Sequence, residues 1–285
     1  MIPELFHIGP LTVYSYGLML GISFVAASFF LTKEIKRRGL DPNVATEVTL
    51  LAMVFGVVGS KLFHLFNYWD AFLANPFHEA FSPGGLVFHG GLILSIVAIF
   101  IYARRKKFPF LFIADAASPS LILAYGIGRI GCHLSGDGDY GLPTNLPWGT
   151  NYENGIVKPS LLFERSDYLK ALYPDGILDS TPLHPTPIYE FLAALVIFGL
   201  LWKLRTKNQP IGRLFMMYLI LGGASRLLVE FIRLNPPMFL GLTEAQVIAA
   251  GMIILGTLGF TYLTKNPHAI QYTPPAKTGK EPKKK

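Results

Sequence analysis

Seven apolar runs punctuate the chain, near residues 12–32, 45–66, 86–103, 110–132, 187–204, 213–233 and 243–264. Each is close to the roughly 20 apolar residues that a helix needs to cross a bilayer's hydrocarbon core. Polar and charged residues gather between the runs. The pattern predicts an all-α polytopic membrane protein with about seven transmembrane helices. The run at 213–233 is the least apolar, since it ends in Arg226, Glu230 and Arg233.

The connections differ in length. Residues 133–186 form a polar insert, read as a small ordered extracytoplasmic head. Within it, "YENGIV" has the Asn-Gly pair of a tight hairpin turn, and residues 161–173 are amphipathic. Residues 67–85 carry aromatic side chains suited to a membrane interface. The expected organisation is a membrane domain over 1–265 that includes the head, followed by a disordered basic tail over 266–285.

Composition agrees with a membrane reading. Only 15% of the 285 residues are charged and 51% are hydrophobic, whereas a soluble domain carries about 25% charge. The net charge of +7 could indicate a nucleic-acid partner, but its distribution indicates topology instead. Basic residues cluster after the first, third, fifth and seventh runs, in groups of four, four, four and six, which is 18 of the 25 Lys and Arg residues. With seven spans all of these fall on one side, which the positive-inside rule makes cytoplasmic. The N-terminus is then outside and the C-terminus inside. No Lys or Arg precedes the first run, which argues against a cleaved signal peptide. The single cysteine, Cys132, cannot form an internal disulfide. No internal repeat is evident, which weakens a transporter built from inverted halves. The tail lysines either touch anionic lipid or simply reinforce topology.

Polar residues near the run ends are the candidates for chemistry, because burying charge in lipid is costly. Arg129 lies among Gly126, Gly128 and Gly131, which permit close approach of a helix or ligand. It either grips an anionic headgroup, a task that suits a planar guanidinium, or snorkels to the interface. Arg226, Glu230 and Arg233 share one helix face at i, i+4 and i+7. They form either an inward polar seam beside a site or a structural ion-pair network. Gly222 and Gly223 would leave room beside that seam. His89, flanked by Gly90 and Gly91, has the pKa range of a general base and looks sterically open. Tyr189 and Glu190 open the fifth run, where Glu190 could pair with an arginine. Lys61 and His64 share a face of the second run, and Asp115 lies in the fourth beside Pro119. Under the predicted topology His89, Arg129, Tyr189, Glu190, Arg226, Glu230, Arg233 and Lys61 converge on a polar cavity open to the outer leaflet. Its arginines imply an anionic lipid substrate.

The motifs around these residues resemble those of the bacterial prolipoprotein diacylglyceryl transferases, up to about residue 264. "FHGGL" (88–92) resembles the family's His-Gly-Gly motif. "GRIG" with "GDGDYG" (128–141) resembles its Gly-Arg signature closed by a glycine, here Gly141. "HPTPIYE" (184–190) and "SRLLVEFIR" (225–233) are similar to its Tyr-Glu and Arg-x-x-x-Glu-x-x-Arg stretches. The resemblance implies transfer of diacylglycerol from phosphatidylglycerol to the lipobox cysteine thiol of a prolipoprotein signal peptide. A thioether forms and glycerol phosphate leaves. It also implies the bacterial inner membrane and a site facing the outer leaflet. Arg129 and Arg226 would hold the phosphate. His89 would take the thiol proton or position the thiolate, and Glu230 and Arg233 would order the seam. Gly90, Gly91, Gly141, Tyr189, Glu190 and Lys61 complete the expected substrate-binding set.

The chain departs from the family pattern at three places. Cys132 stands where the family has Asn, Gly222 replaces a tyrosine, and "GDGDYG" replaces an Asn-Gly-Glu type run. A displaced tyrosine role would fall to Tyr218 or Tyr125. These departures leave the thiol's proton acceptor open and keep a non-catalytic lipid-binding relative as an alternative, beside a membrane transporter. "GDGD" (136–139) also formally fits an intramembrane aspartyl protease, but helix rise puts Asp115 too far from Asp139 for the required dyad. A Ca²⁺ loop on Asp137 and Asp139 lacks further ligands, and the bland reading of both is a Gly-Asp turn. The sequence calls for no metal, cofactor or nucleic acid.

Overall fold

The computed structural model describes residues 1–9, 11–82, 87–238 and 240–272. Strands β1 (Glu4–Ile8) and β2 (Leu11–Tyr14) pair antiparallel and lead into helix α1 (Ser15–Arg37). There follow α2 (Asn43–Asn67), α3 (Trp69–Ala74), α4 (Pro76–Phe81), α5 (Phe88–Arg105) and α6 (Phe110–Ser135). Then come α7 (Pro159–Arg165), α8 (Asp167–Leu172), α9 (Thr186–Leu204), α10 (Arg213–Glu230) and α11 (Glu244–Lys265).

Six of these helices, α1, α2, α5, α6, α9 and α11, are long and apolar enough to cross a bilayer. Their outward faces carry large apolar side chains that water would not tolerate in such number: Val25 is 72% exposed and Val196 73% exposed. The chain is a polytopic, mostly helical membrane protein. The seventh expected run is α10, which ends at Glu230, three residues early. It carries Arg213, Arg226 and Glu230, so composition alone does not mark it as a span. It packs against α9 and α11, and its Leu228 faces outward.

The chain divides into two compact units. In one, covering residues 32–113 and 268–272 among those described, α2 packs on α5. A side chain at Gly59 would strike the Gly90 carbonyl, and one at Gly91 would strike Ser60 and Gly56. Small residues here let two membrane helices approach until their backbones touch. The 67–85 stretch forms α3 and α4, neither with a buried residue, and Phe77 and Phe81 are over 80% exposed. Residues 83–85 of that stretch lie outside the described residues. At the end of α1, buried Glu34 accepts hydrogen bonds from Arg37 and Arg38 at 2.8 and 2.7 Å. Within the tail expected to be disordered from Asn266, Tyr272 meets Phe108 edge-on and Phe112 at a tilt. Residues 273–285 lie outside the described residues.

The other unit, 1–31 and 114–267, contains the head. Its membrane part is built on α6, whose Ile122 shares a core with Ala194, Ile197, Leu201 and Leu214. Pro119 sits inside α6 without ending it. Asp115, within the apolar fourth run, has polar partners. Its carboxylate accepts the Gly212 and Phe215 amides at 2.6 and 2.7 Å, capping α10 from a neighbouring helix. Gly223 lies against the Ala249 carbonyl, so it serves close packing of α10 on α11 and leaves no room beside the polar seam. The head has its own core of Tyr140, Tyr152, Phe163, Leu169, Leu183 and Leu234. The 161–173 stretch is two short helices parted at Ser166, whose hydroxyl caps α8. "YENGIV" makes a turn but no strand pair. Its Ile156 and Val157 amides instead donate to the Ser135 and Gly136 carbonyls at 2.9 Å. The first run was expected to begin at residue 12, but 11–14 is strand β2. A hairpin edge satisfies those backbone groups before the chain turns helical.

Candidate active site

Four helices of the head-containing unit bring charged residues to one place. Arg129 lies near the C-terminal end of α6, Glu190 in the second turn of α9, and Arg226 and Glu230 in the last turns of α10. Thr243 caps the start of α11. Arg233 and Asp139 come from the segments just beyond α10 and α6. Three guanidiniums and three carboxylates thus meet at a single level.

Glu190 is the centre of the cluster. Its side chain is only 1% exposed, and it lies 3.1 Å from Arg129 Nε and 3.5 Å from both Arg226 Nη1 and Arg233 Nη1. The Tyr125 hydroxyl donates to it at 2.6 Å. Glu230, also fully buried, lies 2.6 Å from Arg226 Nη1 and accepts from Asn235 and Thr243, each at 2.7 Å. Burying such charges costs several kcal/mol each unless partners surround them, and here they do. Pairing is not saturated, however. Arg226 Nη1 and Arg233 Nε are buried and make no aligned hydrogen bond. Arg129 and Arg226 keep 17% and 20% of their side chains exposed, so the cluster is open along one edge.

Asp139 is the group that sequence reasoning missed as a site residue. It was read as part of a turn, and the turn exists: Gly136 and Gly138 adopt positive φ of 60° and 95°. Its consequence is larger than ordering the head entrance. The Asp139 carboxylate pairs directly with both Arg129 and Arg233. Its carbonyl also accepts from Thr186 Oγ1 at 2.5 Å and from Arg233 at 3.2 Å. Burial alone would raise its carboxyl, but the Arg233 and Arg129 guanidiniums overcome this and hold it below the usual carboxylate value. Asp137, two residues earlier, goes the other way. Burial pushes it up, and the Asp139 carboxylate adds to the shift. Cys132, Asp137 and Asp139 place their ligand atoms within 4.8 Å of one another, the spacing of a metal site. Two guanidiniums already neutralise Asp139, which works against a cation there.

Gly141 acts through its backbone. Its amide donates to the His184 carbonyl at 2.9 Å, and a side chain there would strike the Ile232 carbonyl and Thr186. The absence of a Cβ lets the extended 139–144 segment lie between 182–184 and 232–233, bridged at Gly141 to Arg233 and at Pro143 to Leu183. That threading brings Asp139 to Arg233. Tyr189 stands apart from the arginines: its hydroxyl accepts from Trp148 Nε1 at 2.8 Å and lies 3.1 Å from His184 Nδ1. The α6 glycines serve different ends. Gly126 packs on Ala194 and Gly131 on Tyr16 and Met19, while Gly128 has open space. Cys132 is buried, with its sulfur 3.8 Å from Arg129 Nη1.

The remaining expected residues belong to the other unit. Gly90 and Gly91 are buried in the α2–α5 contact, so the openness expected around His89 is filled on that side by α2. His89 is half-buried, with its ring edge-on to Phe88. Lys61 donates to the Ser82 carbonyl and hydroxyl at 3.0 and 2.9 Å, closing the end of α4. His64 lies 3.8 Å from Glu79.

Fold and site together define a multi-pass membrane protein with a charged cluster where several helices end. The chain matches, over residues 3–262, the family described as prolipoprotein diacylglyceryl transferase, and it belongs to that family. It is similar to the phosphatidylglycerol–prolipoprotein diacylglyceryl transferase of Clostridium tetani, 32% identical across 91% of this chain and 97% of that protein. The enzyme of the same name from Proteus mirabilis is 34% identical over 95% of each chain. That of Leptospira interrogans is 31% identical over 84% of this chain and 78% of its own length.

Proposed function

We propose that this protein transfers the diacylglyceryl group of phosphatidylglycerol to the lipobox cysteine thiol of prolipoproteins. The thiol sulfur attacks the glyceryl carbon, the carbon–oxygen bond to phosphate breaks, and glycerol phosphate departs. The observation that carries this reading is the open edge of the cluster. Arg129 and Arg226 stand on Glu190 and Glu230 and keep part of their side chains exposed. Carboxylates beneath them fix the guanidiniums, so little reorganisation is needed when negative charge develops on the leaving phosphate. The family membership and the names of its relatives supply the substrate class.

The working location is the bacterial cytoplasmic membrane, with the site open to the outer leaflet. Basic residues at the opposite helix ends support that orientation. Of the two roles the resemblance implies for His89, the reading keeps positioning of the acceptor thiolate. Purified protein in phosphatidylglycerol vesicles with a lipobox peptide tests the reading by mass spectrometry. The peptide gains one diacylglyceryl mass, and Arg226→Lys, Arg129→Lys and His89→Ala lose most of that gain. Lysine keeps the charge but loses the paired donors. A folded wild-type protein that binds phosphatidylglycerol without modifying the peptide would instead mark a non-catalytic relative.

A further inference from the structure

The arginines and their carboxylates account for the phosphate side of the reaction but not for the proton of the thiol. A thiol with a pKa near 8.5 is mostly protonated at neutral pH and is a weak nucleophile until that proton is taken. Asp139, Glu190 and Glu230 are poor acceptors, because each is bound to guanidinium groups. Asp137 differs from them. Among the described residues it makes no ion pair and is half-buried; its carboxylate is engaged only by neutral groups, the Asp139 amide at 3.3 Å and the Cys132 thiol, and lies within 4.8 Å of that of Asp139, which contacts Arg129 directly.

Resting on the function proposed above, we propose that Asp137 is the proton acceptor for the incoming lipobox thiol. The thiol proton passes to the Asp137 carboxylate as the sulfur's electron pair bonds the glyceryl carbon. The carbon–oxygen pair leaves on the glycerol phosphate. Asp137 then returns the proton to the departing phosphate or to water, and no other reactant is needed. Placement supports the step. Reacting atoms must come within about 3–3.5 Å, so the base must stand close beside the phosphate grip, as Asp137 does. The carboxylate already meets one thiol of the chain itself, since the buried Cys132 Sγ lies within 4.8 Å of it, and an incoming thiol would take up the same kind of contact from the exposed side.

Two carboxylates two residues apart thus have opposed surroundings. Asp139 is held ionised by two arginines. Asp137 is pushed up by burial and by Asp139, toward the range in which a carboxylate accepts protons well. The groups facing Asp137 are Cys132, Asp139 and Arg129, with the Tyr16, Tyr140 and Tyr152 hydroxyls in electrostatic reach.

The test compares wild-type, Asp137→Asn and Asp137→Glu proteins between acid and alkaline pH, with peptides carrying cysteine or selenocysteine. For Asp137→Asn with the cysteine peptide, kcat at neutral pH falls about 100-fold or more, with KM for phosphatidylglycerol unchanged. Its rate climbs about tenfold per pH unit toward the thiol pKa. The selenol, ionised at neutral pH, bypasses the defect, and Asp137→Glu restores part of the rate. A wild-type-like rate and pH profile in Asp137→Asn overturns the assignment. So does an equal loss with both peptides or a raised KM for the lipid, either of which marks a structural role. If Asp137→Asn fails to fold, a pH profile for Asp137→Glu identical to that of the wild type overturns it instead. A wild-type protein that modifies neither peptide overturns the transferase reading itself, which separates the two failures.

Discussion

At the scale of single residues, Glu190 does the most structural work in the cluster, because three guanidiniums converge on it. Glu190→Ala leaves buried arginines without their common anion. The expected loss is about 3–5 kcal/mol, seen as a large fall in melting temperature in detergent, together with loss of transfer. Asp139 and Asp137 give opposite signs against pH. The Asp139 carboxyl sits below its ordinary value of 3.8 in the folded protein. Its contribution is therefore full above that value and is lost as pH falls through the lower folded pKa. Asp139→Asn flattens that acid limb of a stability profile. Asp137, raised from 3.8, opposes folding once ionised, so Asp137→Asn keeps or raises the melting temperature at neutral pH. A lower melting temperature there would contradict the surroundings described for it.

Between elements, two devices hold the helices in register, and neither uses a large side chain. Gly59 and Gly90 let the α2 and α5 backbones touch. Gly90→Val forces these helices apart, and overpacking of this kind costs about 1–3 kcal/mol. Asp115 fixes the start of α10, and with it the level at which Arg226 and Glu230 emerge. Asp115→Ala strands two amides and costs about 1–3 kcal/mol for each buried unsatisfied group. A drop in melting temperature with weaker phosphatidylglycerol binding is expected. Unchanged binding would show that α10 is placed by its contacts with α9 and α11 alone.

For the whole molecule, the basic connections argue for one orientation. Cysteines introduced at Tyr168 in the head and at Lys207 between α9 and α10 test it, with Cys132 buried and silent. A membrane-impermeant maleimide labels Tyr168→Cys in intact cells, and Lys207→Cys only after permeabilisation. The reverse pattern would invert the topology and the side on which substrates arrive.

Period and composition along the chain were enough to determine the membrane class and six of the spans. These are local properties: helix length against bilayer thickness, and the cost of charge in lipid. What the residues touch was beyond that reach. Sequence spacing put Arg226, Glu230 and Arg233 on one face but could not tell a ligand seam from an ion-pair network, and the cluster is a paired network with one open edge. Gly90, Gly91 and Gly223 read as space around a site, yet a glycine's missing Cβ can be filled by a neighbouring helix as readily as by a ligand. Asp139 read as a turn residue because its role depends on Gly141 letting one extended segment pass between two that are distant in sequence. Only the tertiary structure separated Asp139 from Asp137, for a carboxylate's chemistry is set by the charges that folding brings beside it.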